Sequence, residues 1–557
     1  MKPSRMLIIA ALTLFLVGSI GRVGPAAAPK VTFSQSAPAV DTWDFVEITM
    51  QVDGPTAANP FTDVVVRGEF RREGDAAVAV DGFCDAQAGR TFRIRFMPTQ
   101  PGKYSYSVKF QQGDFEQTHT GAFEARPGNR RGIVRVDKDH PYHFRRAGAD
   151  EHFFWNGTTT YWLMGWDDEN IRRAIDRLAG LKVNYLRVVI DGRVKDGRAW
   201  YENVFPTDKF TFLLNPWVAA RPDSVEDPGF DVKRFNVAHW RKYDRLLRHA
   251  REKDVIISVI FYVDGRRPGV DPFGKGTRSD DEKRYYQYAA ARFAPFSNVM
   301  WDLTNEYRLF RDDEWCNWIG PILREFDPYD HLISVHGHGD FRFRKEPWAD
   351  FAMYQNWDEH GGYKFMLKNR QEQEATGRPM PQVNEEYGYE DHYPQGWGGN
   401  RKAPARSADN RRRLAWEMYM AGGYQTTGER ADRGTGWGPD TGGGWLNGRG
   451  DDTMVMLKGY GHIVDFFKAF EWWKTNPDNS HVNNQALCLA EPGRQYIVYL
   501  PKGGNVTVKL EPGTYEAKWY NARTGEWSLI GEAKGPEWTS PNAADEDDWA
   551  ILLKRKS

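Results

Sequence analysis

Cysteine is scarce in this chain. Cys84, Cys316 and Cys488 are the only three in 557 residues. Odd in number and far apart, they define neither a disulfide framework nor a zinc site, and buried free thiols are expected. A surplus of charge is missing too. Lys and Arg number 75 and Asp and Glu 76, for a net charge of −1. Electrostatics therefore gives no reason to expect nucleic acid as a partner. Long apolar runs are confined to the N-terminus. Residues 6–20 form one of 15 residues, short of the roughly 20 that a membrane span needs. Lys2 and Arg5 precede it and Ala26, Ala27 and Ala28 follow. That is the pattern of an export signal ending near residue 28, so a secreted or periplasmic protein, free of the membrane after cleavage, is expected. No G-x-S-x-G elbow occurs, which removes the common signature of serine hydrolysis.

What is present is length and aromatic mass. A chain of 557 residues suits two to four domains. Aromatics make up 14%, with 22 Trp. Such rings can stack on sugar faces, although for any single Trp a place in the core is the commoner fate. From about 29 to 130 the runs VEITMQV, VVVRGEF, TFRIRFM and YSYSVKF, broken by Gly, Pro and Asp, predict a small all-β sandwich. From about 476 to 557 the runs YIVYL, NVTVKL, TYEAKWY and AILLK predict another.

Between them, over 131–475, strands alternate with helices. Predicted strands lie at 153–162, 183–190, 255–262, 298–307, 332–337, 351–357, 381–390 and 422–429. Helical spacing of apolar residues, such as Ile171, Ile175 and Leu178, separates them. About eight βα units predict a closed (β/α)₈ TIM barrel flanked by the two all-β sandwiches, with its active site at the C-terminal strand ends. A long insertion at 191–235 falls on that side.

Two strands carry the chemistry. NVMWDLTNEY ends in Asn305 and Glu306, and PQVNEEYGYE contains Glu385 and Glu386. Hydrolysis of a glycosidic bond needs two carboxyl groups from different elements facing one cleft, roughly 5–5.5 Å apart when configuration is retained. Ends of strands 4 and 7 meet that need. Successive strand residues face opposite sides, so one of Glu385 and Glu386 is expected to face the cleft, and spacing alone does not choose. Glu390 is expected further out, in a rim loop. Arg187, a lone Arg in strand 2, needs an acidic partner there. Tyr354 on strand 6 is a candidate donor to the nucleophile, and Gln355 and Trp357 are candidates to line the cleft. Trp162, Trp166 and Asp167 after strand 1, and Trp437 and Trp445 in the Gly-rich loop after strand 8, are candidate sugar contacts; core packing or a plain loop is the bland alternative for each. His336 and His338 have the spacing to chelate, but nothing in the sequence completes a metal site, so sugar contact or a structural loop is the simpler reading.

WDLTNEY and VNEEYGYE resemble the strand 4 and strand 7 motifs of the large barrel clan of retaining glycoside hydrolases, including apiosidase-like and cellulase-like members. RFMPTQPGKYSYSVKF with GAFEARPGNRRGIVRVD resembles an immunoglobulin-like domain that often precedes such barrels. YIVYLPKGGNVTVKLEPGTYEAKWYNARTGEW resembles a collagen-binding-type domain found behind many secreted glycosidases. The resemblance implies Glu306 as acid/base and Glu386 as nucleophile. It also implies that Asn305 bonds the hydroxyl beside the anomeric carbon and that Arg187 holds the nucleophile. A carbohydrate substrate and no cofactor follow. Glu306 is expected protonated through a raised pKa, and Glu386 ionised through surrounding donors. The rival readings are a non-catalytic carbohydrate-binding barrel and a metal-dependent hydrolase of another bond.

Overall fold

The computed structural model describes residues 29–193, 209–263, 265, 269–274, 277–358, 361–390, 406–429, 444–448, 450 and 454–556. The export-signal segment and Trp437 lie outside them, as does the side chain of Trp445.

The N-terminal region forms two sheets of four and five strands, antiparallel except that the edge strand Ala39–Asp41 runs parallel to Phe115–Arg126. In the strand Val46–Asp53, Val46, Ile48, Met50 and Val52 face inward and polar residues alternate with them, which is how a sheet with one wet face reads. The two inner faces meet through ring pairs such as Phe70 on Phe96, 4.5 Å apart and parallel. The packing is that of a sandwich.

This sandwich is bolted to the barrel by buried ions. Arg95 donates to both oxygens of Asp244, at 3.2 and 2.9 Å, and to the carbonyl of Arg292 at 2.9 Å. Arg292 bonds Asp244 at 2.8 Å and Asp85 at 2.9 Å. Burial alone would raise the Asp244 carboxyl, but Arg292 and Arg95 outweigh it and hold it below the ordinary range. Removing one partner leaves a buried charge uncompensated, so Arg95→Met is expected to lower unfolding free energy by about 3–5 kcal/mol. Urea titration of the two proteins reads it, and a loss under about 1 kcal/mol would mean that the contact behaves as a surface pair.

The barrel strands are β1 (Gly157–Thr159), β2 (Tyr185–Asp191), β3 (Ile256–Tyr262), β4 (Val299–Asp302), β5 (Ile333–Ser334), β6 (Ala352–Gln355), β7 (Gln382–Glu386) and β8 (Tyr424–Thr427). All pairings are parallel, in the order 5-4-3-2-1-8-7-6. The seam between β5 and β6 has no ladder and is bridged singly, by Asp350 N to Ile333 O at 2.9 Å and Ser334 Oγ to Phe351 O at 2.6 Å. β2 and β3 are buried along their whole length, because helices cover one side and the filled barrel the other. At the lower end, Trp155 packs at a tilt against Tyr185 and Phe144, with ring centres 3.9 and 5.1 Å away, and closes the interior.

Helices α1 (Asp168–Gly180), α2 (Val237–Glu252), α3 (Asp280–Phe293) and α4 (Asp313–Phe326) follow β1 to β4. Asp167, a candidate sugar contact from sequence, instead caps α1 and accepts from Asn170 N at 2.9 Å. Aspartate is a preferred N-cap because its oxygen satisfies an orphan amide of the first turn. Most of the tryptophan surplus is core. Trp155, Trp162, Trp217, Trp240, Trp301, Trp315 and Trp416 are fully buried. The C-terminal β region docks through Trp416 on Tyr499, parallel at 4.9 Å, and through Arg412 on Asp548 at 2.6 Å. All three cysteines are buried and free, as expected.

Candidate active site

The site is built around one guanidinium. Arg187, fully buried on β2, donates to Tyr161 Oη at 2.9 Å and to Asn305 Oδ1 at 2.8 Å. Three carboxyl groups surround it: Asp302 at 3.5 Å, Glu385 at 3.5 Å and Glu386 at 3.9 Å. A lone cation inside a barrel is tolerable only with such company.

Asn305 and Glu306 lie just past β4. The strand stops at Asp302, earlier than the sequence pattern suggests, and Glu306 takes a left-handed conformation with φ 46° and ψ 51°. That turn is costly for a residue with a Cβ and is found where the surrounding structure insists on it. The Asn305 amide is oriented by its neighbours. Its Oδ1 accepts from Arg187, so its Nδ2 is the group left for a substrate oxygen.

β7 does not alternate as a regular strand should. Tyr354 pairs with Asn384 but Gln355 pairs with Glu386, so Glu385 is an extra residue in a β-bulge. Bulges re-aim side chains beside active sites. Both glutamates consequently approach Arg187, which corrects the expectation that only one would turn inward. They face different company. Glu386 Oε2 lies 3.0 Å from the Tyr161 hydroxyl and 3.9 Å from His336 Nε2, and its Oε1 accepts from Gln355 Nε2 at 3.3 Å. Glu385 lies deeper, among Tyr185, Thr426 and Arg187 Nε, and neither of its oxygens makes a hydrogen bond of good geometry.

The protonation pattern departs from the one expected. Burial raises Glu386 to about 7, and the negative charge of Glu306 adds to the rise; Arg187, Tyr389 and Tyr161 only partly offset it. Glu386 is almost fully buried while Glu306 is half-buried, so desolvation falls mainly on Glu386. Burial also raises Glu385 to about 7 and Asp302 to about 6, with Arg187 opposing both.

His336 is a neutral donor here. The backbone N–H of Glu306 donates to its Nδ1 at 3.3 Å, which places the ring proton on Nε2, toward Glu386. Burial, then the charges of Arg187 and His338, holds its pKa well below the ordinary value. His338 lies higher, half-buried, and its carbonyl accepts from Gln355 N at 3.1 Å. Among the described residues no set of three His, Cys, Asp or Glu side chains converges as metal ligands.

Other sequence candidates lie elsewhere. Tyr354 points away from the nucleophile, donating to Gln382 at 2.6 Å and accepting from Arg344 at 3.0 Å. The bulge gives that role to Gln355. Trp357 sits edge-on to Tyr389 at 5.6 Å. Trp166 is buried, with Nε1 donating to Asn447 O at 3.0 Å. Glu390 is buried rather than at the rim, and accepts from Val455 and Met456 N–H at 3.2 and 3.3 Å. Trp162 is buried at the end of β1, and its Nε1 has no hydrogen-bond partner. Tyr161 was missed by the sequence reading. It touches Arg187, Asn305 and Glu386 at once, yet within TTTYW it reads as one more core aromatic.

Residues 142–428 match the family described as apiosidase-like, catalytic domain. Residues 39–111 match a domain of unknown function, and 477–554 a candidate collagen-binding domain of a collagenase. No curated protein matches the chain. A candidate glycoside hydrolase from Bacteroides vulgatus shares the fold with a TM-score of 0.76 at 19% identity, covering 93% of this chain and all of that one. A family 5 glycoside hydrolase from the same species gives 0.60 at 15% identity over 76% of this chain and 94% of its own. A third structure, described as a glycoside hydrolase, gives 0.60 at 16% over 76% and 97%.

Proposed function

The chain belongs to the apiosidase-like family of glycoside hydrolase barrels, and on that premise we propose that it cleaves O-glycosidic bonds with retention of configuration, as an exported enzyme. The observation that carries this reading is the pairing of Glu306 with Glu386 around the Arg187, Tyr161 and Asn305 cluster. Glu386 attacks the anomeric carbon as Glu306 gives its proton to the departing oxygen, and a glycosyl ester forms on Glu386. Glu306 then takes a proton from water, the water attacks the same carbon, and the carboxylate of Glu386 leaves. Tyr161 and Gln355 hold the Glu386 oxygens in place, and Asn305 Nδ2 donates to the neighbouring sugar hydroxyl. Export rests on the N-terminal signal pattern. Among the described residues no helix is long and apolar enough to cross a membrane.

The test is a screen against aryl glycosides, apiosides among them, and plant, algal and bacterial polysaccharides, with the first-formed anomer read by NMR. An inverted first product would overturn the mechanism, and release of no sugar would overturn the activity.

The ionisation of Glu386 makes a further prediction. It attacks only as a carboxylate, so kcat/KM of the wild type should rise with pH through about 7. Glu306→Gln removes a negative charge that helps keep the proton on Glu386. On a dinitrophenyl glycoside, whose leaving group needs no acid, that limb should move to lower pH. A limb that stays put would show that the two carboxyl groups do not interact.

A further inference from the structure

Asp191 is a buried acid that the proposed mechanism does not use. It ends β2, is fully buried, and neither carboxyl oxygen makes a hydrogen bond of good geometry, although the Gly192 backbone N–H lies beside it. Buried polar atoms almost always have partners, and an exception in a functional region calls for a cause. Its place supplies one. Side chains alternate along a strand, so Asp191 shares the inward side of β2 with Tyr185 and Arg187. It pairs in register with Tyr262 of β3, whose carbonyl accepts from Asn305 N at 3.0 Å. Asp191 therefore stands at the level of Asn305 and Glu306, at the barrel mouth. The next residue, Gly192, packs so closely on the Trp162 ring that a Cβ there would sit 2.9 Å from it.

The same layer holds other buried polar atoms without partners. They are Trp162 Nε1, His336 Nε2 and Gln355 Oε1. These donors and acceptors lie at the ends of β1, β5 and β6, around the nucleophile. Sugar hydroxyls both donate and accept, so one polyhydroxylated ring can satisfy such a mixed set. The cleft is also acidic. Asp302, Glu306, Glu385 and Glu386 line it, with Arg187 as the cation among them. A sugar bearing its own carboxylate would meet like charge there.

We propose that Asp191 is a substrate-binding residue that takes two hydroxyls of a neutral glycosyl unit held over Glu386, and so selects for an uncharged sugar with a free hydroxyl pair. This rests on the glycosidase reading of the same cleft. Burial raises the Asp191 carboxyl well above its ordinary range, with Asp271 adding and Arg193 opposing. That shift favours the protonated form, and a carboxyl with one donor and one acceptor oxygen suits a hydroxyl pair. Holding an unpartnered acid costs stability, and a ligand recovers it.

The test compares wild type, Asp191→Asn and Asp191→Ala as full-length proteins. Binding of free D-apiose, D-mannose, L-arabinose and D-galacturonate is followed by saturation-transfer NMR, and unfolding by calorimetry. At least one neutral sugar should bind wild type, comparably to Asp191→Asn, whose amide keeps a donor and an acceptor, and at least about tenfold more weakly to Asp191→Ala, and galacturonate should not compete. Asp191→Asn should unfold no earlier than wild type, whereas loss of a structural residue would lower Tm. The inference is overturned if Asp191→Ala binds within twofold of wild type, if galacturonate binds as well, if no sugar binds, or if Asp191→Asn lowers Tm by several degrees. Failure of the glycosidase reading shows separately, as aryl glycosides left intact by a wild type that still binds sugar.

Discussion

Glu386→Ala should lose roughly 10⁴-fold or more of the wild-type rate on an aryl glycoside and recover part of it with azide. The recovered product is the diagnostic. Azide occupies the space of the lost carboxylate and attacks once, so the glycosyl azide should have the opposite configuration to the substrate. Glu306→Ala should behave differently. With a dinitrophenyl leaving group it should still form the glycosyl ester quickly and then stall, because nothing activates the water. Azide then attacks the ester and gives a product of retained configuration. The bulge in β7 makes a third variant necessary. Glu385 and Glu386 both approach Arg187, so Glu385→Ala must not yield the inverted azide. If it does, and Glu386→Ala does not, the nucleophile is Glu385.

That ambiguity marks where the sequence stops being informative. The barrel was legible because strands alternate with helices over about eight units, and because runs such as VIISVIFY are mostly apolar, as strands covered on both faces are. Helix α1 was legible from Ile171, Ile175 and Leu178, all buried. The acid pair was legible because two strand ends carry glutamates in barrel register. The bulge was not. It inserts one residue without changing composition or hydrophobic pattern, and it decides three points together: which glutamate meets Tyr161, whether Glu385 turns inward, and whether Tyr354 or Gln355 reaches the nucleophile. Asp167 is a different kind of miss. An Asp opening a helix with acids in its first turn is a capping signal, and it was available in WDDEN. Tyr161 and Asp191 gave no signal at all. Each looks like an ordinary strand-end residue until the neighbouring strands are in place.

Arg187→Met should damage both activity and stability, and pH should separate the two effects. Arg187 is the cation among Asp302, Glu385 and Glu386, and all four groups are buried. Breaking such a cluster by removing one member costs about 3–5 kcal/mol. The sign of the pH dependence follows from the shifts. Burial already places Asp302 at about 6 and Glu385 and Glu386 at about 7, while Arg187 pulls each down. Without Arg187 all three rise further above their unfolded values. A group with a raised folded pKa supports the fold when protonated and loses that contribution as pH climbs through the folded pKa. The stability deficit of Arg187→Met should therefore be small at pH 5 and grow toward pH 8, as read by calorimetry across that range. Activity should fall by about 10³-fold near neutrality, because Glu386 keeps its proton and because Asn305 and Tyr161 lose the donor that orients them. The rising limb of kcat/KM should move to higher pH than in wild type. Arg187→Lys should recover little, since one ammonium cannot span Tyr161, Asn305 and three carboxyl groups together. A deficit constant from pH 5 to 8 would mean that Arg187 serves packing rather than charge, and would leave the raised carboxyl groups of this cleft to be explained by burial alone.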